Sequence, residues 1–202
     1  MSVPETNLPS EVLPPEILPP FLQGNGLVRR GLRRLLQVSS PVSPRSDAEV
    51  AAEVERNYRW NYVVNMLDIT SFWFGSSFAS ASTILPLFIS KLTPNPLAVG
   101  LLAVIAQGGW FFPQLFTANI VEQLPRKKPV VVNLGFFLER VPYWVAILAA
   151  LLAGRFPKLA VGIFLFAYAW HSLGAGFAAT AWQDLIARCF PVNRRGSFFG
   201  IA

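Results

Sequence analysis

Four long apolar segments, each bounded by charge, dominate this 202-residue chain. Residues 69–90, 92–121 and 159–183 carry no formally charged side chain, with His171 taken as neutral, and 129–153 are interrupted only by Glu139 and Arg140. An α-helix rises about 1.5 Å per residue and a bilayer core is about 30 Å thick, so roughly 20 apolar residues cross it. A soluble domain keeps one face of each helix polar and has no use for four such helices in succession. The pattern predicts an all-α polytopic membrane protein with four transmembrane helices, over about 62–90, 92–121, 129–153 and 159–187. A fifth helix is expected to start at residue 197. Its six residues, 197–202, make only about 9 Å of helix, which leads us to expect an N-terminal fragment of a longer protein.

Composition narrows the function classes. A hydrophobic fraction of 53% with only 14% charged residues lies on the membrane side of soluble usage. The net charge of +6 would suit nucleic acid, but the basic residues gather at helix ends, where they set topology instead. Nucleic acid is therefore not an expected partner; the lipid bilayer is. Cys189 is the single cysteine, so it has no intrachain disulfide partner and no metal-site spacing. With one histidine, no paired carboxylates at helical spacing within the apolar segments, no phosphate-cradling glycine loop and no Gly-x-Ser-x-Gly, the sequence predicts no enzyme, no catalytic residue and no cofactor.

Lys and Arg counts give the orientation. Arg29, Arg30, Arg33, Arg34, Arg45, Arg56 and Arg59 precede the first span. Arg126, Lys127 and Lys128 follow the second, and Arg188, Arg194 and Arg195 follow the fourth. The opposite side has Lys91, Arg155 and Lys158, which makes 13 against 3 with Arg140 inside the membrane. The positive-inside rule then predicts a multi-pass protein of the plasma membrane with a cytoplasmic N-terminus.

Before the membrane the chain divides in two, a 1–45 tail ahead of a 46–202 helix bundle. The prolines at 4, 9, 14, 15, 19 and 20 predict an extended, disordered stretch over 1–25. Residues 27–38, LVRRGLRRLLQV, place their Leu and Val residues on one half of a helical wheel and all four arginines on the other. Such a segment fits a short helix on the anionic inner leaflet, or a basic tail. Ser39–Pro44 reads as a linker and Asp47–Arg59 as a polar helix feeding the first span.

Short connections at about 91–96, 122–128 and 154–158 predict antiparallel neighbours. Gly100, Ala103, Gly108 and Gly109 in the second span, and Gly162, Gly174, Gly176, Ala178 and Ala179 in the fourth, are candidate contacts between backbones. Pro86, Pro113 and Pro142 are expected to bend their helices.

Ionisable groups inside the spans are the sharpest functional signal, because charge in hydrocarbon costs at least about 2.5–3.5 kcal/mol unless a partner or cavity offsets it. Asp68 lies about 10 Å into the first span and Glu139 and Arg140 about 15 Å into the third. Successive residues project about 100° apart, so Glu139 and Arg140 are expected to meet different partners. His171 lies near the middle of the fourth span. Each has two readings: a structural network, or a substrate or proton pathway.

Between the second and third spans, Ala118–Lys128 (ANIVEQLPRKK) resembles the cytoplasmic loop motif of the major facilitator superfamily, G-x-x-x-D-R-x-G-R-[KR]. Ala118 takes the first glycine position, Glu122 the acidic one, Arg126 the later arginine and Lys127 the final basic one. Gln123 and Pro125 depart from the motif. Pro191–Ala202 is similar to the loop and helix start after the fourth span of many members. The resemblance covers about 58–202, the first third of a twelve-helix fold. It implies a secondary transporter of a small solute, working by alternating access, with protons as a candidate coupling ion. It also implies a gating role for Glu122, Arg126 and Lys127, joined by Asp184 and Arg188 one turn apart. The residues themselves leave two other functions open, a non-transporting membrane scaffold and a membrane-anchored lipid-interacting protein.

Overall fold

The computed structural model describes residues 19–38 and 45–201. The proline-rich stretch up to residue 18 and the linker at 39–44 lie outside the described residues. Every described element is helical: a 3₁₀ turn at Pro20–Leu22, then α1 (Leu27–Leu35), α2 (Asp47–Arg56), α3 (Tyr58–Ser77), α4 (Ile84–Leu92) and α5 (Pro96–Glu122). Two π-helical stretches, Val130–Leu134 and Phe136–Arg140, run into α6 (Val141–Leu152) to make one span, followed by α7 (Pro157–Cys189). A 3₁₀ turn at Val192–Arg194 leads into α8 (Arg195–Ile201).

Three helices are long and apolar enough to cross a bilayer: α5, the span Val130–Leu152, and α7. Only 11% of the most apolar window of α5 is buried within the protein. Its Phe111, Phe112, Leu115 and Phe116 point outward. A surface that apolar needs an apolar solvent. The expected first span is different, since α3 and α4 are separate helices with a break at 78–83. Ser80, Ser82 and Thr83 hydrogen-bond one another there, and the Ser80 carbonyl accepts from the Leu85 amide. Hydroxyl side chains that offer the backbone such local alternatives disfavour a continuous helix, and Pro86 then falls in the first turn of α4, where its missing N–H costs nothing.

α7 is the hub. Contacts pair Leu102 with Phe164, Gly109 with Ser172 and Thr117 with Thr180, so α5 and α7 run parallel. On its other side Leu138 meets Gly174 and Glu139 meets His171, so the third span runs antiparallel to α7. α5 and the third span, although joined by a short loop, make little direct contact and meet through α7. The expected adjacency of successive helices fails at this point.

Of the candidate glycines, three mediate close approach. A Cβ on Gly109 would strike Ser172, one on Gly176 the carbonyls of Gly109 and Trp110, and one on Gly174 the carbonyl of Leu138. Gly100, Gly108 and Gly162 face open space and are not packing positions.

The described part of the N-terminal segment, 19–38, packs on the bundle. Leu22, Leu36 and Val38 are buried against Val121, Leu124, Val130 and Ala181, at the end of the bundle that carries most of the positive charge. Each such burial contributes about 1.5–3 kcal/mol where it replaces exposure to water. Asn133 donates to the Leu35 carbonyl at 2.7 Å and Arg126 to the Gln37 carbonyl at 3.1 Å, holding a chain reversal in which Gln37 takes φ 52°. Only the start of α1 keeps the expected free apolar face, with Leu27 and Val28 fully outward. α2 begins at a capping box: the Ser46 hydroxyl accepts from the Glu49 amide, and the Glu49 carboxylate accepts from the Ser46 amide at 2.7 Å. α3 is held mainly at its start, where Tyr58, Tyr62 and Met66 pack on Ile186, Phe190 and Phe198, and Asn61 donates to the Cys189 carbonyl at 3.0 Å.

Candidate functional site

Two groups of sequence-selected residues come together in space, one at the basic end of the bundle and one midway along it. At the basic end Lys127 is turned inward and buried. Its ammonium donates to the carbonyls of Val121, Glu122 (3.0 Å) and Leu124 (2.8 Å). These are carbonyls at and just past the C-terminus of α5, where a helix runs out of internal donors; that of Val121 also accepts from the Leu124 amide at 3.1 Å. A cation there also opposes the negative end of the helix dipole. All three ammonium protons are thus committed to capping α5. Burial lowers the Lys127 pKa below its ordinary value, partly offset by Asp184, whose carboxylate lies 4.0 Å away. Asp184 also accepts from Arg188 Nε at 3.1 Å, one turn along α7.

The expected gating residues therefore divide. Lys127, Asp184 and Arg188 form one charge chain. Arg126 reaches the N-terminal segment instead, and Glu122 is exposed at the rim. Sequence reasoning missed Asn133 and Gln37, which tie that segment to the bundle. No local pattern links positions 98 residues apart.

Midway along the bundle, Glu139 and Arg140 pair with each other at 3.6 Å, Glu139 mostly buried and Arg140 half-exposed. The expectation that they face different partners is wrong. Phe136–Arg140 is π-helical, so each residue turns through less than the 100° of an α-helix. Gly135 lies beneath them: a Cβ there would stand 3.5 Å from Glu139 Oε1 and 3.6 Å from Arg140 Nη1. The missing side chain leaves room for both to fold together. Pro142 explains the irregular helix, since a proline denies the carbonyl four residues back its usual N–H.

His171 bonds the backbone of Glu139, not its carboxylate. Nδ1 donates to the Glu139 carbonyl at 3.1 Å, and Nε2 accepts from the Tyr143 hydroxyl at 3.2 Å. A carbonyl only accepts, so this arrangement fixes one neutral tautomer. The ring clips the third span to α7 near the proline. Asp68, on the exposed face of α3, lies within electrostatic reach of Glu139 and has no ion pair among the described residues. Tyr143, Thr117 and Thr180 escaped a search confined to ionisable side chains. A scan for every hydrogen-bonding side chain within the spans finds them. Among the described residues no three His, Cys, Asp or Glu side chains gather as a metal site.

No protein-family model, curated protein or solved structure matches the chain.

Proposed function

We propose that this chain supplies the first membrane helices of a secondary transporter of the major facilitator type, carrying a small solute across the plasma membrane by alternating access. The observation that carries this reading is the Glu139–Arg140 pair, midway along an apolar span and half-exposed on its Arg140 side. Charge at that depth persists where it faces a partner or a water-filled path, and Asp68 stands across from it on a helix held mainly at one end. Lys127, Asp184 and Arg188 sit at the cytoplasmic mouth in this reading, where their linkage of the second and fourth spans supports a gate.

Two experiments test it. In a Cys189→Ser background, a cysteine at Asn95 should react with an impermeant thiol reagent from outside intact cells, and one at Gln123 should not. The reverse pattern overturns the orientation. The full-length gene product in proteoliposomes should accumulate a solute under a proton gradient, and Glu139→Gln should abolish accumulation while sparing exchange. If no solute in a broad panel moves, the transporter reading falls.

A second reading, a membrane-anchored lipid-interacting protein, draws on the outward Leu27 and Val28 beside exposed Arg30 and Arg34.

A further inference from the structure

The basic end holds a cavity of about 530 Å³ between the N-terminal segment, the loop 122–129 and the last turns of α7. Its origin is the inward turn of Lys127. With that side chain spent on α5, its neighbours Arg126 and Lys128 are thrown to either side and line the opening. Arg188 completes the ring.

The four cations are not equivalent. Lys127 has used its three donors on carbonyls, and Arg126 is engaged with Gln37. Lys128 is exposed and has no hydrogen bond or ion pair among the described residues. Arg188 binds Asp184 through Nε alone, leaving both its terminal nitrogens without a described partner. Against four positive groups stand Glu122 at the rim and Asp184 beside Lys127. The remaining wall is mostly apolar, from Leu124, Pro125, Pro129, Val132 and Leu185, with the polar Gln37 and Asn133 beside them. An unpaired ammonium and a guanidinium fork with open donors favour a phosphate, which accepts from both. Basic pockets between membrane helices at the water boundary suit phospholipid headgroups in particular.

We infer that this cavity is a binding site for a phosphate-bearing anion, either an anionic phospholipid headgroup or a free phosphate, with Lys128 and Arg188 as its ligands. The site is independent of transport. It needs only that the loop lie at the membrane surface, so its failure and that of the transporter reading are separately visible.

The test uses the purified chain in micelles of an uncharged detergent, titrated with phosphatidylglycerol, phosphatidylcholine or inorganic phosphate, with the thermal unfolding midpoint read by tryptophan fluorescence. Phosphatidylglycerol should raise the midpoint saturably and phosphatidylcholine should not. Lys128→Gln with Arg188→Gln should weaken the apparent affinity at least tenfold, and the exposed Lys128→Gln alone about threefold. Arg56→Gln, a charge control on α2, should change it less than twofold. A saturable shift with inorganic phosphate that the double variant abolishes assigns the free anion. Its absence alongside a phosphatidylglycerol shift assigns the lipid. The inference is overturned if neither probe shifts the midpoint, or if Lys128→Gln keeps full affinity and the double variant, where folded, does too.

Discussion

α7 packs against α5 on one side and against the third span on the other, and both contacts use the same device to different ends. In each partner a proline leaves the carbonyl four residues earlier without its usual donor: Pro113 frees Gly109, and Pro142 frees Leu138. In each, that carbonyl lies against an α7 glycine, Gly176 for Gly109 and Gly174 for Leu138. On the α5 side the helix stays α-helical through the proline, and the contact, the most extensive between two helices, is largely apolar with one hydroxyl pair. On the third-span side the helix loosens to π geometry, and a histidine, a tyrosine and an ion pair fill the space. Close backbone packing thus supplies rigidity on one side, and the same irregularity on the other makes room for charge.

The strongest way to break this symmetry is to remove the glycines. Gly176→Ala places a methyl on two backbone carbonyls, and Gly174→Ala places one on Leu138, none of which can swing aside as a side chain would. Each should lower stability by about 1–3 kcal/mol, toward the upper end, measured by reversible denaturation in micelles. Gly162→Ala, which meets open space, should stay within about 0.5 kcal/mol of the parent. Equal losses at all three positions would mean that close approach is not what these glycines provide.

Lys127 tests whether α5 depends on its cap as the third span depends on its ion pair. Lys127→Met keeps the aliphatic stem and takes the ammonium from three carbonyls, of which, among the described residues, only that of Val121 keeps a backbone donor, the Leu124 amide. The cost should be about 1–3 kcal/mol, whereas the exposed Lys128→Met should be near neutral. The pH profile gives a second handle. Burial holds Lys127 below its ordinary value of 10.5, so over the interval from its lowered folded value up to 10.5 the unfolded chain binds more protons than the folded one. Stability contributed at this site therefore rises with pH across that interval and is flat below it. The rise should vanish in Lys127→Met. A rise of the same size in the variant would assign it to another group.

On the third-span side, Glu139→Gln removes one partner of a pair whose Arg140 is half-exposed. The loss should be about 1 kcal/mol, below that of a fully buried pair. Because the two side chains meet above Gly135, the swap Glu139→Arg with Arg140→Glu should recover most of the folded yield. No recovery would restore the expectation that the two residues serve separate partners.

These contacts also mark what could be read from the sequence. Three of the four expected spans are helices long and apolar enough to cross a bilayer, legible because length and apolarity are properties of the sequence itself. The break at 78–83 was not legible, since the search counted charge, and Ser80, Ser82 and Thr83 act by hydrogen bonding. Gly109, Gly174 and Gly176 could be nominated but not separated from Gly100, Gly108 and Gly162, because composition does not tell which face of a helix meets another. The Glu139–Arg140 pairing departs from α-helical angles because Phe136–Arg140, next to Pro142, is π-helical. The burial of Leu22, Leu36 and Val38 rests on partners more than 80 positions away, and nothing local announces it.

The smallest expected effect isolates the polar part of the α5 contact. Thr117 is buried, and its hydroxyl meets that of Thr180 at 3.3 Å, with Thr180 also able to reach the Phe177 carbonyl at 3.5 Å. Interhelical hydrogen bonds in membranes are worth about 0.6 kcal/mol on average. Thr117→Val preserves shape and should cost about that much, and Thr117→Val with Thr180→Val should cost little more, since the two hydroxyls serve each other. Additive losses in the double-mutant cycle would show that each hydroxyl has its own partner. A vanishing cost for Thr117→Val would leave the adhesion between α5 and α7 to backbone packing at Gly109 and Gly176 and the apolar contact of Leu102 with Phe164, and polar chemistry confined to the third-span side.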